Sequence, residues 1–289
     1  MTKIERGPAL LMSGGIGDYL HYLTRLDAWA DAERINRERL TIFVESTVPH
    51  QVASLFALAF PDLRFAFVPA AIHWTKTNPL LVPTREIDRI NRPAYLFVAE
   101  QGFDSITDWF LPFSCSGYTP DESPLMRIVR GRPVAGSYVV VAAREKGFLW
   151  WPRRELCRQL EAMTPAGMRL VYLGTPNERH DYMSGFVSAT DVVEALAISY
   201  HAALFIGTDT GAATVRELTG RKNIYCVSRF WVDELMVRYG YWNDSLQRRS
   251  RSVLTFSGNE LLTACAEEFA VLSDGDARPR LPSDMCSVL

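Results

Sequence analysis

The chain has no C-x-x-C pair, no H-E-x-x-H, no Gly-Lys-Ser or Gly-Lys-Thr, and no apolar run approaching the roughly 18 residues that span a bilayer. Each absence removes a class. The five cysteines (Cys115, Cys157, Cys226, Cys265 and Cys286) are scattered and odd in number, which argues against a disulfide framework and a thiolate zinc site and for a reducing, cytoplasmic compartment. None of the five histidines (His21, His50, His73, His180 and His201) is spaced as a metal ligand, so no metal is expected. Charge is also lacking: 31 Lys plus Arg against 33 Asp plus Glu leave a formal net charge of -2, too little to attract nucleic acid or an anionic membrane. The first apolar run is short, interrupted by glycine and soon reaches Asp18, which reads as a strand and loop rather than a leader.

What is present is a βαβ rhythm in a chain of 289 residues, 48% of them hydrophobic. Strands are expected at Ala9–Met12, Leu40–Val44 and Arg64–Val68, with helices over Tyr19–Ala32 and Val48–Ala59. The rhythm resumes with strands at Ser137–Ala143, Met168–Leu173, Ala203–Ile206 and Asn223–Val227, alternating with helices over Arg153–Met163, Asp191–His201 and Ala212–Leu218. Such Val-, Ile-, Leu- and Phe-rich strands, with little alternation, belong in a parallel sheet covered on both faces. A further strand signal lies at Pro93–Ala99 inside a Pro- and aromatic-rich stretch. The expected class is α/β: two facing Rossmann-like domains, 1–133 and 134–257, with a cleft between them, a closing helix over 258–272 and a loose tail over 273–289.

Four stretches carry candidate chemistry. Ser13-Gly14-Gly15-Ile16-Gly17-Asp18 follows the first strand and opens a helix, where unpaired backbone N–H groups and the helix dipole favour an anion. A dinucleotide fingerprint fails there, because Leu20 occupies the position of the third glycine. A tight turn with Asp18 as a helix-start residue is the plainer alternative. Asp18 and His21, three apart on one helical face, are candidate bases.

Gly207-Thr208-Asp209-Thr210-Gly211 ends a buried strand just before a helix, so small residues let a phosphate approach the backbone while Thr208 and Thr210 donate to it. An unliganded N-cap by Asp209 or Thr210 is the alternative. At the end of the first strand of the second half, Arg144 or Lys146 is placed to neutralise a leaving phosphate, and Trp150 or Trp151 to pack on a base or a domain interface. Glu178, after Leu173-Gly174-Thr175-Pro176-Asn177, is either a helix-start acid or an acceptor for ribose hydroxyls.

Taken in order, Gly14–Asp18, Lys146–Pro152 (KGFLWWP), Leu173–Glu178 (LGTPNE) and Gly207–Gly211 resemble the motifs of the heptosyltransferases, glycosyltransferase family 9. The resemblance implies the GT-B fold, Asp18 as general base and Lys146 on the donor phosphates. It also places Asp209, Thr210 and Gly211 at the diphosphate and Glu178 near the nucleoside. Gly15, Gly17, Arg144 and Thr208 join that donor site. The implied reaction is inverting transfer of a heptose or related sugar, with no cofactor beyond a nucleotide-diphosphate sugar such as ADP-heptose as substrate. The acceptor is a saccharide or another hydroxyl, bound near residues 72–118 with His21, Trp74 and Trp109 on that side. A lipid-linked acceptor would bring peripheral membrane contact. The chain departs from the family in carrying Thr214 where a histidine is usual, and in the spacing between Lys146 and Trp151-Pro152. A sugar-nucleotide epimerase of the same fold and a catalytically silent binding module are the alternatives.

Overall fold

The structure is a computed structural model that describes residues 7–72, 93–109, 117–130, 134–144, 151–208, 210–228 and 252–274. Pro8–Ser13 (β1), Thr41–Glu45 (β2), Arg64–Phe67 (β3) and Ser105–Trp109 (β4) form a parallel sheet in the order β3-β2-β1-β4. A second parallel sheet comprises Ser137–Ala142 (β5), Met168–Gly174 (β6), Phe186–Ser188 (β7), Leu204–Gly207 (β8), Asn223–Cys226 (β9) and Val253–Thr255 (β10). Its order, β10-β9-β8-β5-β6-β7, is the doubly wound Rossmann order read from the far edge.

The unbroken apolar runs have a direct cause. In β1, Leu10 and Met12 enter one buried cluster while Ala9 and Leu11 enter another on the opposite face. In β5, Val139 and Val141 face one core and Tyr138, Val140 and Ala142 the other. Both faces are covered, so both must be apolar.

The expected helix over Tyr19–Ala32 is two helices, Ile16–Leu23 (α1) and Leu26–Ala32 (α2). The Thr24 hydroxyl lies 3.1 Å and 3.0 Å from the Leu20 and His21 carbonyls, and the Arg25 guanidinium donates to the His21 carbonyl. The Arg25 N–H bonds the Tyr22 carbonyl, and these side chains take up the His21 carbonyl that a continuing helix would have used. Pro49–Ala59 (α3) follows β2.

The strand expected at Pro93–Ala99 is a helix, Pro93–Glu100 (α4). Ala94 and Val98, four apart, are buried against the β1 side, while Leu96 between them is 45% exposed. A strand would have put all three on one face. The strand of this region is instead β4, whose Ser105, Thr107 and Asp108 hid it.

Ser123–Ile128 (α5), Arg154–Met163 (α6), Val192–His201 (α7), Gly211–Leu218 (α8) and Gly258–Ser273 (α9) complete the order. Ser257 caps α9 by accepting from the Glu260 N–H, while the Glu260 carboxylate accepts from the Phe256 N–H. Cys157, Cys226 and Cys265 all lie in the core beneath α6 and α9, where burial raises each thiol above its ordinary value. Leu196, Tyr200, Val215 and Leu218 of α7 and α8 join the core of the first half, so one hydrophobic cluster links the first half to two helices of the second.

In the first sheet the chain leaves β1 toward β2 and returns to β4 on its other side. In the second it leaves β5 toward β6 and returns to β8. The carboxyl ends of β1 and β5 are therefore topological switch points, where open parallel sheets leave a crevice for ligands.

Candidate functional site: two glycine turns at the switch points

The Ser13–Asp18 turn begins at the first switch point. Gly14 has φ of +145°, and a β-carbon there would lie 2.2 Å from Asp18 Oδ2, so both backbone geometry and space demand glycine. Gly14 N–H donates to the Glu45 carbonyl at 3.2 Å, and the Ser46 hydroxyl donates to the Gly14 carbonyl at 3.3 Å. The Tyr19 hydroxyl lies 2.9 Å from the carbonyls of both Met12 and Glu45, and Tyr22 donates to the Ser13 carbonyl at 2.8 Å. The Ser13 hydroxyl donates to the buried Glu45 carboxylate. The turn is thus held on every side before it reaches Asp18.

Asp18 is 6% exposed, and its Oδ2 accepts from the Gly15 N–H at 2.6 Å, folding the carboxylate back over the start of α1. His21, one turn on, is 3% exposed with Nδ1 3.3 Å from the Arg25 guanidinium. Burial first, and the Arg25 charge second, lower its pKa from 6.5 to about 3. The imidazole is therefore neutral near neutral pH.

Trp109 does not present a ring to solvent. It is 2% exposed, with its ring centroid 5.6 Å from Tyr22, 5.3 Å from Trp29 and 6.4 Å from Tyr118. It floors the first half rather than offering a stacking surface, because β4 buries this end of its strand. Trp74 lies outside the described residues.

At the second switch point, β5, β6 and β8 end close together. A β-carbon on Gly207 would meet that of Ala142 at 2.4 Å, and one on Gly174 would meet that of Ala143 at 2.9 Å. Arg144 Nε lies 3.8 Å from Glu178 Oε1, and Glu178 Oε2 accepts from the Thr175 N–H at 2.8 Å. Glu178 therefore caps a short helical turn, as its helix-start reading expects, and also faces Arg144.

The Thr208 hydroxyl is buried and 3.4 Å from the Arg144 carbonyl, so it ties the two strand ends together. Thr210 is the N-cap of α8, accepting from the Ala213 N–H at 3.3 Å. The first turn of α8 contains no acidic side chain, which leaves its dipole uncompensated from within the helix. Lys146, Asp209 and Trp150 fall outside the described residues. Trp151 is fully buried and donates its indole N–H to the Ala142 carbonyl at 3.1 Å, so it packs within the second half.

The two turns meet. A β-carbon on Gly17 would lie 2.9 Å from Thr214 Oγ1; one on Gly211 would lie 2.5 Å from Ile16 Cγ2 and 3.5 Å from the Gly17 nitrogen. The start of α1, carrying Asp18, thus abuts the start of α8. Helix starts that carry partial positive charge and touch across two sheets make a place where an anion is favoured.

Sequence reasoning missed what fastens α8. Arg216, on its second turn, is 1% exposed, and burial lowers its pKa to about 9, with the nearby Arg221 charge acting in the same direction. Its guanidinium donates to the carbonyls of Ser199 at 2.8 Å, Ala202 at 2.7 Å and Lys222 at 2.8 Å, and to Asn223 Oδ1 at 3.0 Å. An arginine followed by a glutamate in a short helix that opens on small residues was the available signal.

Among the described residues no group of three His, Cys, Asp or Glu side chains is placed to hold a metal, and no helix is long and apolar enough to cross a membrane.

Two parallel Rossmann-like sheets with their switch-point turns in contact define the GT-B fold, the fold of the heptosyltransferases of glycosyltransferase family 9. Across 92% of this chain and 99% of the other, the structure is similar to E. coli heptosyltransferase WaaC with ADP-2-deoxy-2-fluoro heptose, at a TM-score of 0.58 and 14% identity. E. coli ADP-heptose lps heptosyltransferase II gives 0.53 and 11%, over 93% and 99% of the chains. A glycosyl transferase family 9 protein from Veillonella parvula gives 0.51 and 10%, over 96% and 98%. No protein-family model matches the sequence, and no curated protein sequence matches it.

Proposed function

We propose that the chain is an inverting glycosyltransferase that moves a sugar from a nucleotide-diphosphate donor to a hydroxyl acceptor. The observation that supports this reading is the contact between the two helix starts at Gly17 and Gly211, which brings the Asp18 carboxylate to the start of α8. Asp18 takes the proton from the acceptor hydroxyl as that oxygen attacks the anomeric carbon. The bond to the nucleoside diphosphate breaks, and the leaving charge is held by the first-turn N–H groups at Gly211 and by Lys146. Thr210 shapes that turn as its cap, with Asp209 beside it. Arg144 and Glu178 line the nucleoside end, and Gly15 lets the donor approach α1, whereas the space beside Gly17 admits Thr214 of α8 and not the donor.

On this reading the reaction needs no metal, because the helix dipole and Lys146 supply the positive charge, and it takes place in the cytoplasm. The heptosyltransferases of this fold make ADP-heptose and related ADP-sugars the first donors to try. The acceptor, a saccharide or another hydroxyl compound, lies against the first half near residues 72–118. Trp74 is the candidate ring for stacking, and the buried His21 and Trp109 act from the core of the first half. A lipid-linked acceptor would be met from the membrane surface.

The test is to incubate wild type and Asp18→Asn with nucleotide-diphosphate sugars, with and without candidate acceptors. Asp18→Asn is expected to keep donor affinity and lose transfer by ~10²–10⁴-fold, the usual worth of a general base. Wild-type turnover in the variant would remove the base assignment. Epimerised sugar formed without acceptor would replace transfer by epimerisation.

A further inference from the structure

Arg216, Ser199 and Asn223 form a buried polar network whose hydrogen bonds all converge on α8 or on the elements beside it. Each is at most 1% exposed. The Ser199 hydroxyl donates to the Ala212 carbonyl, and Asn223 Nδ2 donates to the Ala213 carbonyl at 3.2 Å; both carbonyls belong to the first turn of α8. From the second turn, Arg216 reaches back to the Ser199 and Ala202 carbonyls at the end of α7, where the helix leaves acceptors unpaired and its dipole is negative. Arg216 also fixes the turn between α8 and β9 through the Lys222 carbonyl and Asn223 Oδ1.

Among the described residues no carboxylate pairs with Arg216; every acceptor is a carbonyl or an amide oxygen. Burying a guanidinium this way is costly, and a leucine-like side chain would fill the space more cheaply. What the fork adds is direction. Its planar donors reach two elements at once, and a helix of eight residues has little rigidity of its own.

We infer that Arg216, with Ser199 and Asn223, is a positioning residue that sets the orientation of the first turn of α8, and through it the affinity for the donor diphosphate. The inference rests on the proposed donor site. Arg216 does not touch the donor; it holds the N–H groups that do. Loss of a hydrogen bond to a charged ligand at such a cradle is worth ~10- to 100-fold in affinity.

The experiment compares wild type, Arg216→Met, Arg216→Lys and Ser199→Ala well below their Tm, measuring ADP and UDP affinity by calorimetry together with binding stoichiometry. Hydrogen exchange at residues 211–214 is measured on the same samples. The expected result is weaker diphosphate binding by roughly 10-fold or more in Arg216→Met, partial recovery in Arg216→Lys, a smaller loss in Ser199→Ala, and faster exchange in the first turn of α8. A merely structural residue would lower Tm and the binding-competent fraction but leave the affinity of that fraction unchanged, and that result overturns the inference. If Arg216→Met does not fold, Ser199→Ala decides, because it removes one neutral bond and little volume. Should wild type bind no nucleoside diphosphate, the donor-site reading fails and this inference with it; normal wild-type binding with unchanged variants defeats the positioning role alone.

Discussion

Gly17 and Thr214 touch across the two halves: a β-carbon on the glycine would lie 2.9 Å from the threonine hydroxyl oxygen, and that hydroxyl donates to the Thr210 carbonyl at 3.0 Å. The hydroxyl cannot turn away without giving up its bond. Gly17→Ala gains helix propensity of ~1 kcal/mol. The overlap outweighs it, at about 1–3 kcal/mol for an inserted methyl in a packed contact. Gly17→Ala is therefore expected to lower stability in chemical denaturation. In a Thr214→Ala background the same change should become neutral or stabilising. Equal effects in both backgrounds would mean that the two helices do not pack as described.

His21 makes a pH prediction. Its folded pKa, about 3, lies below the ordinary 6.5, so between those values the unfolded chain binds a proton that the folded chain refuses. Stability contributed by the neutral ring is full above about 6.5 and falls on acidification toward 3, with a slope of up to ~1.4 kcal/mol per pH unit. Burial lowers His201 in the same direction. His21→Gln should make the acid side of the stability profile shallower by about one proton. An unchanged slope would show that His21 is not buried as a neutral ring.

Trp109 separates a core role from an acceptor role. With Tyr22, Trp29 and Tyr118 around it, Trp109→Ala should cost about 3–5 kcal/mol in stability, as large aromatic deletions from cores do. Trp109→Phe should keep the fold with a smaller loss. Once an acceptor is in hand, its KM in Trp109→Phe should match wild type; a large rise in KM with normal stability would return Trp109 to the acceptor surface.

Much of the architecture was legible because a strand buried on both faces must be apolar at every position, as β1 and β5 are. The same rule fails where geometry overrides it. Pro93–Glu100 is as apolar as a strand but winds as a helix, and Ser105–Trp109 is polar enough to pass for a loop yet pairs with β1 along its length. The three-residue strands β7 and β10 carry too few residues to show a pattern.

At the site, the glycine turns were legible because their chemistry is local: Gly14 and Asp18 meet within one turn. The Arg216 network and the Glu45 bonds to the first turn were not. Their partners lie 6 to 32 residues apart and come together only when the sheets form. The meeting of Gly17 with Thr214 is likewise a product of packing between helices, which no spacing within either motif encodes.

The most direct test of the donor site is a thermal-shift and calorimetric titration of the intact chain with ADP, UDP, GDP and dTDP and their sugars. One-to-one binding of at least one of them is expected, stabilising the protein by ~2.7 kcal/mol when the ligand is at 100 times its Kd. A flat response to every nucleoside diphosphate and every nucleotide sugar would contradict the donor-site reading.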